Sequence, residues 1–111
     1  LSSSSAASDV YKRQKLDFER LAEIRAVVDI PLVLHGASGV PADQVKRAID
    51  LGITKVNIAT ELKMPFAETL REVLVNNPNE SDPRKYFGPA KESMKKVAIE
   101  KILMCGSNGK A

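Results

Sequence analysis

Residues 31–41 read PLVLHGASGVP, and residues 53–62 read ITKVNIATEL. In each stretch a short run rich in Leu, Ile and Val gives way to small and polar residues, and a helical pattern follows. Short apolar runs are typical of parallel strands covered on both faces, and a strand followed by a helix is the pattern of a βα unit. Two such strands do not form a stable sheet alone, so these stretches predict a slice of a larger α/β fold.

Helices are predicted on both sides of the two strands. Asp17 is a good N-cap for a first amphipathic helix, which carries Leu21, Ala22, Ile24 and Val28 on its apolar face. Pro41 suits the first turn of a second helix, and Gly52 supplies its C-terminal stop. Its predicted buried stripe consists of Val45, Ala48 and Ile49.

Two further helices are predicted after the second strand. Pro65 argues against an unbroken helix from Thr60, so we expect a brief turn or loop and then a main helix from near Met64. The last helix is predicted from about Pro89 to Met104, after a turn region rich in proline. The predicted core faces of these two helices are Phe66, Leu70, Val73 and Leu74, and Met94, Val97, Ala98 and Ile102.

Composition restricts the class of protein. The chain has 111 residues, 43% hydrophobic and 28% charged, which is typical of a soluble globular domain or a piece of one. The longest apolar run is far short of the roughly 20 residues that cross a bilayer. The net charge is +3, from 17 Lys and Arg against 14 Asp and Glu. The lysines of the last stretch lie at helical spacing and are interrupted by Glu92 and Glu100, which favours a solvated helix face over nucleic-acid binding. The single cysteine, Cys105, excludes an internal disulfide and fits a reducing compartment.

The first 14 residues, LSSSSAASDVYKRQ, differ from the rest of the chain. They lack any apolar period and are predicted to be disordered. The stretch also resembles translated vector or adapter sequence, so residues 1–14 are interpreted as foreign. Residues 15–111 then form the folded portion.

The loops after the two strands carry the polar groups of a candidate phosphate site. In α/β barrels the active groups lie on the loops after the strands, and the last two loops commonly bind phosphate. Gly36 and Gly39 allow a close approach of the backbone to a ligand, and Ser38 offers a hydroxyl. Asn57 offers a donor and an acceptor, and Thr60 a hydroxyl at the start of the next helix. The two loops are therefore a candidate cradle for a phosphorylated sugar.

His35 and Lys55 are the residues whose chemistry stays open at this point. His35 is the only histidine and stands where a buried strand meets a loop, so it is either a core histidine bonded to a backbone carbonyl or a metal ligand. One histidine cannot build a catalytic zinc site, which takes three protein ligands. Strand alternation puts Lys55 on the same side as Asn57, where it extends its amine to solvent, pairs with a carboxylate or forms a Schiff base.

Several blocks together resemble a known family. PLVLHGASGVP, then KVNIATEL with Asn57 placed 22 residues after His35, then DPRKYFGPA and a closing GSNGKA, are similar to the C-terminal part of class II ketose-bisphosphate aldolases. The resemblance covers about residues 15 to 111. It implies the last two strands of a (β/α)8 TIM barrel with their helices, followed by a C-terminal helical extension.

The resemblance also implies roles for named residues. His35 resembles the family's last zinc ligand, and Gly36, Ala37 and Ser38 resemble the loop that holds dihydroxyacetone phosphate. Asn57, Ile58, Ala59 and Thr60 resemble the second substrate-binding loop. The implied ions are Zn²⁺ and a monovalent cation near the phosphate loop. The catalytic aspartate and the other zinc ligands of the family lie on earlier strands, so no catalytic residue is assigned in this chain.

The implied activity is reversible cleavage of fructose 1,6-bisphosphate to dihydroxyacetone phosphate and glyceraldehyde 3-phosphate, in glycolysis and gluconeogenesis. The resemblance implies a cytoplasmic homo-oligomer, a dimer or tetramer, that acts on a phosphorylated ketose and binds neither nucleic acid nor membrane. This chain alone is expected to be an inactive fragment. Two alternatives stay open: cleavage of tagatose 1,6-bisphosphate, and a non-catalytic phosphosugar-binding barrel.

Overall fold

The structure, a computed structural model, describes residues 15–111; the expectation of disorder for residues 1–14 lies outside the described residues. The chain divides into two compact units, the first ending at Ile58 and the second running from Ala59 to Ala111. The elements of the first unit are α1 (Phe18–Val27), β1 (Leu32–Leu34), α2 (Ala42–Asp50) and β2 (Ile53–Val56). Those of the second are α3 (Thr60–Asn76) and α4 (Pro83–Met104).

β1 and β2 form a parallel pair, as predicted from the two βα units. Leu32 is paired with Ile53, but the register then shifts, so that Val33 faces Lys55 and Leu34 faces Val56. The shift leaves Thr54 as an extra residue in β2, and its Oγ1 donates to the carbonyl oxygen of Leu32 at 3.1 Å. The two strands therefore end level with each other at their carboxyl ends.

The core of the first unit lies on one side of this strand pair. Leu34, Ala37, Ala48 and Ile53 form a buried cluster, onto which half-buried side chains of α1 pack. The predicted stripe of α2 is confirmed, since Val45 and Ala48 are fully buried and Ile49 is half-buried. The opposite side of the strand pair is open in the described residues, because Val33, in the middle of β1, is 40% exposed.

α1 begins where the sequence predicts. The Asp17 carboxylate accepts a hydrogen bond from the Arg20 N–H at 2.9 Å, the contact of an N-cap. The predicted apolar face is only partly covered: no residue of this helix is buried, and Ile24 is 40% exposed. Val28, which the sequence predicts on that face, is the C-cap and lies just beyond the end of the helix.

The expected break at Pro65 is wrong, because α3 runs through it from Thr60 to Asn76. An interior proline removes one backbone hydrogen bond and costs about 3 kcal/mol. Packing against α4 offsets this cost, since the Phe66 and Phe87 rings lie 6.1 Å apart and the Thr69 hydroxyl is hydrogen-bonded to a serine of α4 at 2.6 Å. Tertiary contacts therefore override the local preference.

The predicted start of the last helix at Pro89 is also wrong, since α4 begins six residues earlier at Pro83. Asp82 is its N-cap and accepts from the Arg84 N–H at 3.0 Å, with Pro83 in the first helical position. Hydrogen bonds from the Arg84 guanidinium, and then from its N–H, lower the pKa of Asp82. The Asp-Pro pair is thus a helix start and not a turn, and Pro89 lies inside the helix.

The C-terminal end of α4 agrees with the prediction. Cys105 is the C-cap, half-buried, and Gly106 adopts a φ of +68° that ends the helix. The Ser107 N–H then donates to the Ile102 carbonyl at 3.0 Å. Among residues 15–111, no helix combines the length and the apolar character that a bilayer span requires.

Candidate active site

The carboxyl end of the strand pair brings His35 and Asn57 together. Each is the first residue after its strand, and the pairing of Leu34 with Val56 sets the two side by side. The Asn57 side-chain nitrogen lies 2.8 Å from His35 Nδ1, which is a hydrogen-bond distance. His35 is exposed and Asn57 is half-buried. Among the described residues, His35 is therefore not a buried core histidine bonded to a backbone carbonyl: it is exposed, and its Nδ1 contacts the Asn57 side chain.

The backbone of Asn57 ties the two loops into one unit. Its N–H donates to the Leu34 carbonyl at 2.9 Å, which extends the parallel ladder by one residue. Its carbonyl oxygen accepts from the Ala37 N–H at 3.3 Å. One residue therefore contacts the end of β1, the imidazole and the loop after β1.

The loop after β1 adopts a conformation that needs its glycines. Gly36 has a φ of +64° and Gly39 a φ of +79°, both in the left-handed region that disfavours a side chain. A Cβ added to either glycine would meet no other described atom within 4 Å. The glycines are therefore explained by backbone conformation, and the space beside them is open.

The remaining loop residues differ in what they can offer a ligand. Ala37 is buried, at 2% exposure, and its N–H already donates to Asn57, so it serves the packing of the loop. Ser38 is half-buried. Within the described part of the chain, the N–H groups of Gly36 and Ser38 make no hydrogen bond to another backbone group. These two N–H groups and the Ser38 hydroxyl are the donors that an anion could use.

The second predicted loop is divided between the two units. Asn57 and the half-buried Ile58 end the first unit, and Ile58 packs against its core. In the second unit, Ala59 is the N-cap of α3 and Thr60 its first residue, both exposed. Among the described residues no side chain caps this helix, and the Ala59 carbonyl accepts from the N–H groups two and three residues beyond Thr60. The prediction that Thr60 lies at a helix start is confirmed.

Lys55 lies in the middle of β2 and is exposed. A lysine nucleophile is activated by desolvation or by a neighbouring cation. The open side of the strand pair supplies no desolvation at this position. The described residues therefore give no support to a Schiff-base role.

A zinc ion needs more ligands than this site offers. Within residues 15–111 no group of three or more His, Cys, Asp or Glu side chains comes together. His35 is exposed at a loop edge, which suits one ligand of a site completed by other residues. The imidazole of His35 is a group that binds zinc, but the described residues supply one such ligand where a catalytic site takes three.

Comparison with known proteins bears on the family and the fold. The family model for fructose-bisphosphate aldolase class-II matches residues 6–110. The crystal structure of the YdjI aldolase from Escherichia coli K12 is 38% identical, with a TM-score of 0.69 over 86% of this chain and 36% of that one. Fructose-bisphosphate aldolase (Fba) from Campylobacter jejuni is 24% identical with a TM-score of 0.66, over 82% of this chain and 35% of that one, and it supports the fold alone.

The chain thus spans about a third of the length of the solved structures it matches. The matching region is part of an aldolase TIM barrel, as the sequence predicts. The family match covers nearly the whole chain. The chain belongs to the class II fructose-bisphosphate aldolase family.

Proposed function

We propose that this chain is the C-terminal part of an enzyme that reversibly cleaves fructose 1,6-bisphosphate into dihydroxyacetone phosphate and glyceraldehyde 3-phosphate. The observation that carries the proposal is the joint placement of His35 and Asn57 at the carboxyl end of a parallel strand pair, 2.8 Å apart. This is the edge at which α/β barrels carry their active groups. Membership of an aldolase family gives the reaction class.

In this proposal the chain supplies one metal ligand and part of the substrate site. His35 holds Zn²⁺ together with ligands outside this chain. When bound, such an ion acts as a Lewis acid that polarises a carbonyl oxygen. The Gly36 and Ser38 N–H groups and the Ser38 hydroxyl bind a phosphate of the substrate, because within residues 15–111 the two N–H groups donate to no other backbone group. The open space beside Gly36 and Gly39 leaves room for that group, and a monovalent cation near this loop belongs to the same proposal.

Asn57 and Thr60 contribute to substrate binding from the second loop. Asn57 has an amide with both donors and an acceptor, so one contact to His35 leaves other groups of the amide to bind substrate. Thr60 offers its hydroxyl from the first turn of α3. We place the intact enzyme in the cytoplasm, which agrees with the free thiol of Cys105, and its assembly as a homo-oligomer belongs to the same proposal.

The mechanism is tested by asking how the complete enzyme is inactivated. A chelator is expected to abolish cleavage, with recovery on adding zinc, because the Lewis acid is removed and returned. Borohydride in the presence of substrate is expected to trap no covalent adduct. Trapping at Lys55 with resistance to chelators would overturn the metal assignment in favour of a Schiff base. Binding of the bisphosphate without its cleavage would favour the non-catalytic barrel.

Parallel assays with fructose and tagatose 1,6-bisphosphates identify the preferred substrate.

The phosphate contacts are tested by two separate substitutions, Ser38→Ala and Thr60→Val. A phosphate is charged in both the ground state and the transition state, so the loss of a donor should raise KM more than it lowers kcat. A hydrogen bond to a charged group contributes roughly 1.5–3 kcal/mol, so KM should rise by about 10- to 150-fold. Steady-state kinetics with the bisphosphate measure both constants. An unchanged KM for either variant would remove that residue from the phosphate site.

A further inference from the structure

The start of α3 and the end of α4 are joined by an ion pair. The Lys101 ammonium contacts a carboxylate oxygen of Glu61, the residue directly after Thr60. Both charges lie where the helix dipoles favour them, because Glu61 is in the first turn of α3 and Lys101 in the last turn of α4. The pair therefore links the helix turn that carries Thr60 to the C-terminal helix.

This ion pair is more shielded from water than the other ion pairs between described residues. The side chains of Lys101 and Glu61 are 20% and 31% exposed, whereas the basic side chain of each other pair is at least 67% exposed. Removing charges from water costs free energy that an apolar pair would not, so a shielded pair adds little to stability. Its effect is to fix which groups lie opposite each other.

The turn that carries Thr60 has few other contacts to hold it. Its N-cap is Ala59, which has no side-chain oxygen, and no described side chain caps the helix. A helix start without a capping side chain is less stable and frays more readily. The hydrogen bond between Thr69 and Ser93 joins the same two helices further along α3, beyond the first turn. The contact of Glu61 with Lys101 therefore supports the first turn itself.

We propose that Glu61 and Lys101 are positioning residues for Thr60: their ion pair orders the first turn of α3 and holds the Thr60 hydroxyl ready for the substrate phosphate. This inference rests on the proposed role of Thr60 in phosphate binding. A donor that is ordered before the substrate arrives avoids an ordering cost on binding, so the pair lowers KM and leaves kcat nearly unchanged. The C-terminal helix then contributes to substrate affinity without contacting the substrate.

The experiment measures steady-state kinetics of variants of the complete enzyme with the bisphosphate. Lys101→Met removes the charge and keeps an apolar stem, and KM is expected to rise about 3- to 10-fold with kcat nearly unchanged. Glu61→Gln removes the other charge and should have the same effect. Lys101→Arg keeps the cation and should stay within about twofold of the unaltered enzyme. Lys96→Met alters an exposed lysine of α4 and is the matched control, which should change neither constant.

A double variant, Thr60→Val with Lys101→Met, tests whether the ion pair acts through Thr60. Because the hydroxyl is then absent, removing the ion pair should raise KM no further than Thr60→Val does alone. A further rise in the double variant would overturn the positioning role. Unchanged KM in Lys101→Met and Glu61→Gln, beside a raised KM in Thr60→Val, would overturn it too, and a lowered Tm by circular dichroism would then mark the pair as a structural contact only. Unchanged KM in Thr60→Val would instead overturn the phosphate role on which the inference rests.

Discussion

Replacing His35 with alanine in the complete enzyme is expected to remove the bound zinc and abolish aldol cleavage. Catalytic zinc takes three protein ligands, and the loss of one leaves a site that no longer holds the ion in a defined geometry. A Lewis acid contributes several kcal/mol to the transition state, so kcat/KM should fall by about 10³-fold or more. Metal content by atomic absorption and cleavage kinetics measure the two effects separately.

The control for this experiment is Lys55→Ala. Lys55 is exposed in β2, close in sequence to Asn57, and it is the nucleophile of the Schiff-base alternative. It should retain zinc and turnover. Retention of both properties by His35→Ala, with loss of turnover in Lys55→Ala, would reverse the two roles.

The sequence predicts the strands and the first two helices well because local signals agree there. Leu32 to Leu34 is a continuous apolar run between Pro31 and His35, and Gly52 marks the end of a helix by its positive φ of +119°. The error at Pro89 has a local part, because Asp82 and Pro83 form an N-cap and a first helical position where a turn is predicted. Pro65 and Pro89 themselves lie inside helices of the second unit, where contacts between the two helices outweigh the lost backbone hydrogen bonds. Local propensity contains no information on such contacts.

The contact between His35 and Asn57 depends on a feature that the sequence pattern does not specify. Without the register shift after Leu32, the pairing that starts at Ile53 would set His35 beside Val56. The extra residue Thr54 moves β2 along by one and brings Asn57 to the imidazole. Bulges of one residue are set by tertiary packing and by contacts such as the one from Thr54 Oγ1 to the Leu32 carbonyl. The polar residues could be predicted, but their pairing could not.

Residues 15–111, produced alone, are expected to show no cooperative unfolding and no aldol cleavage. Parallel strands are stable when both faces are covered, yet Val33 in the middle of β1 is 40% exposed. α1 contains no buried residue, and Val27 at its end is 81% exposed. Ordering each residue costs roughly 1–2 kcal/mol of conformational entropy, which so little apolar burial in the first unit does not offset. Thermal scans by circular dichroism measure the unfolding, and a bisphosphate cleavage assay during a zinc titration measures the activity.

The same measurements on the complete enzyme are the reference, since there the open side of β1 and β2 is expected to be covered by further strands. If the complete enzyme unfolds cooperatively and shows metal-dependent cleavage, both properties depend on residues outside this chain. If residues 15–111 alone unfolded cooperatively and cleaved the bisphosphate with added zinc, His35 would need no ligand from elsewhere. The assignment of the other ligands and of the acid–base group to earlier strands would then be wrong.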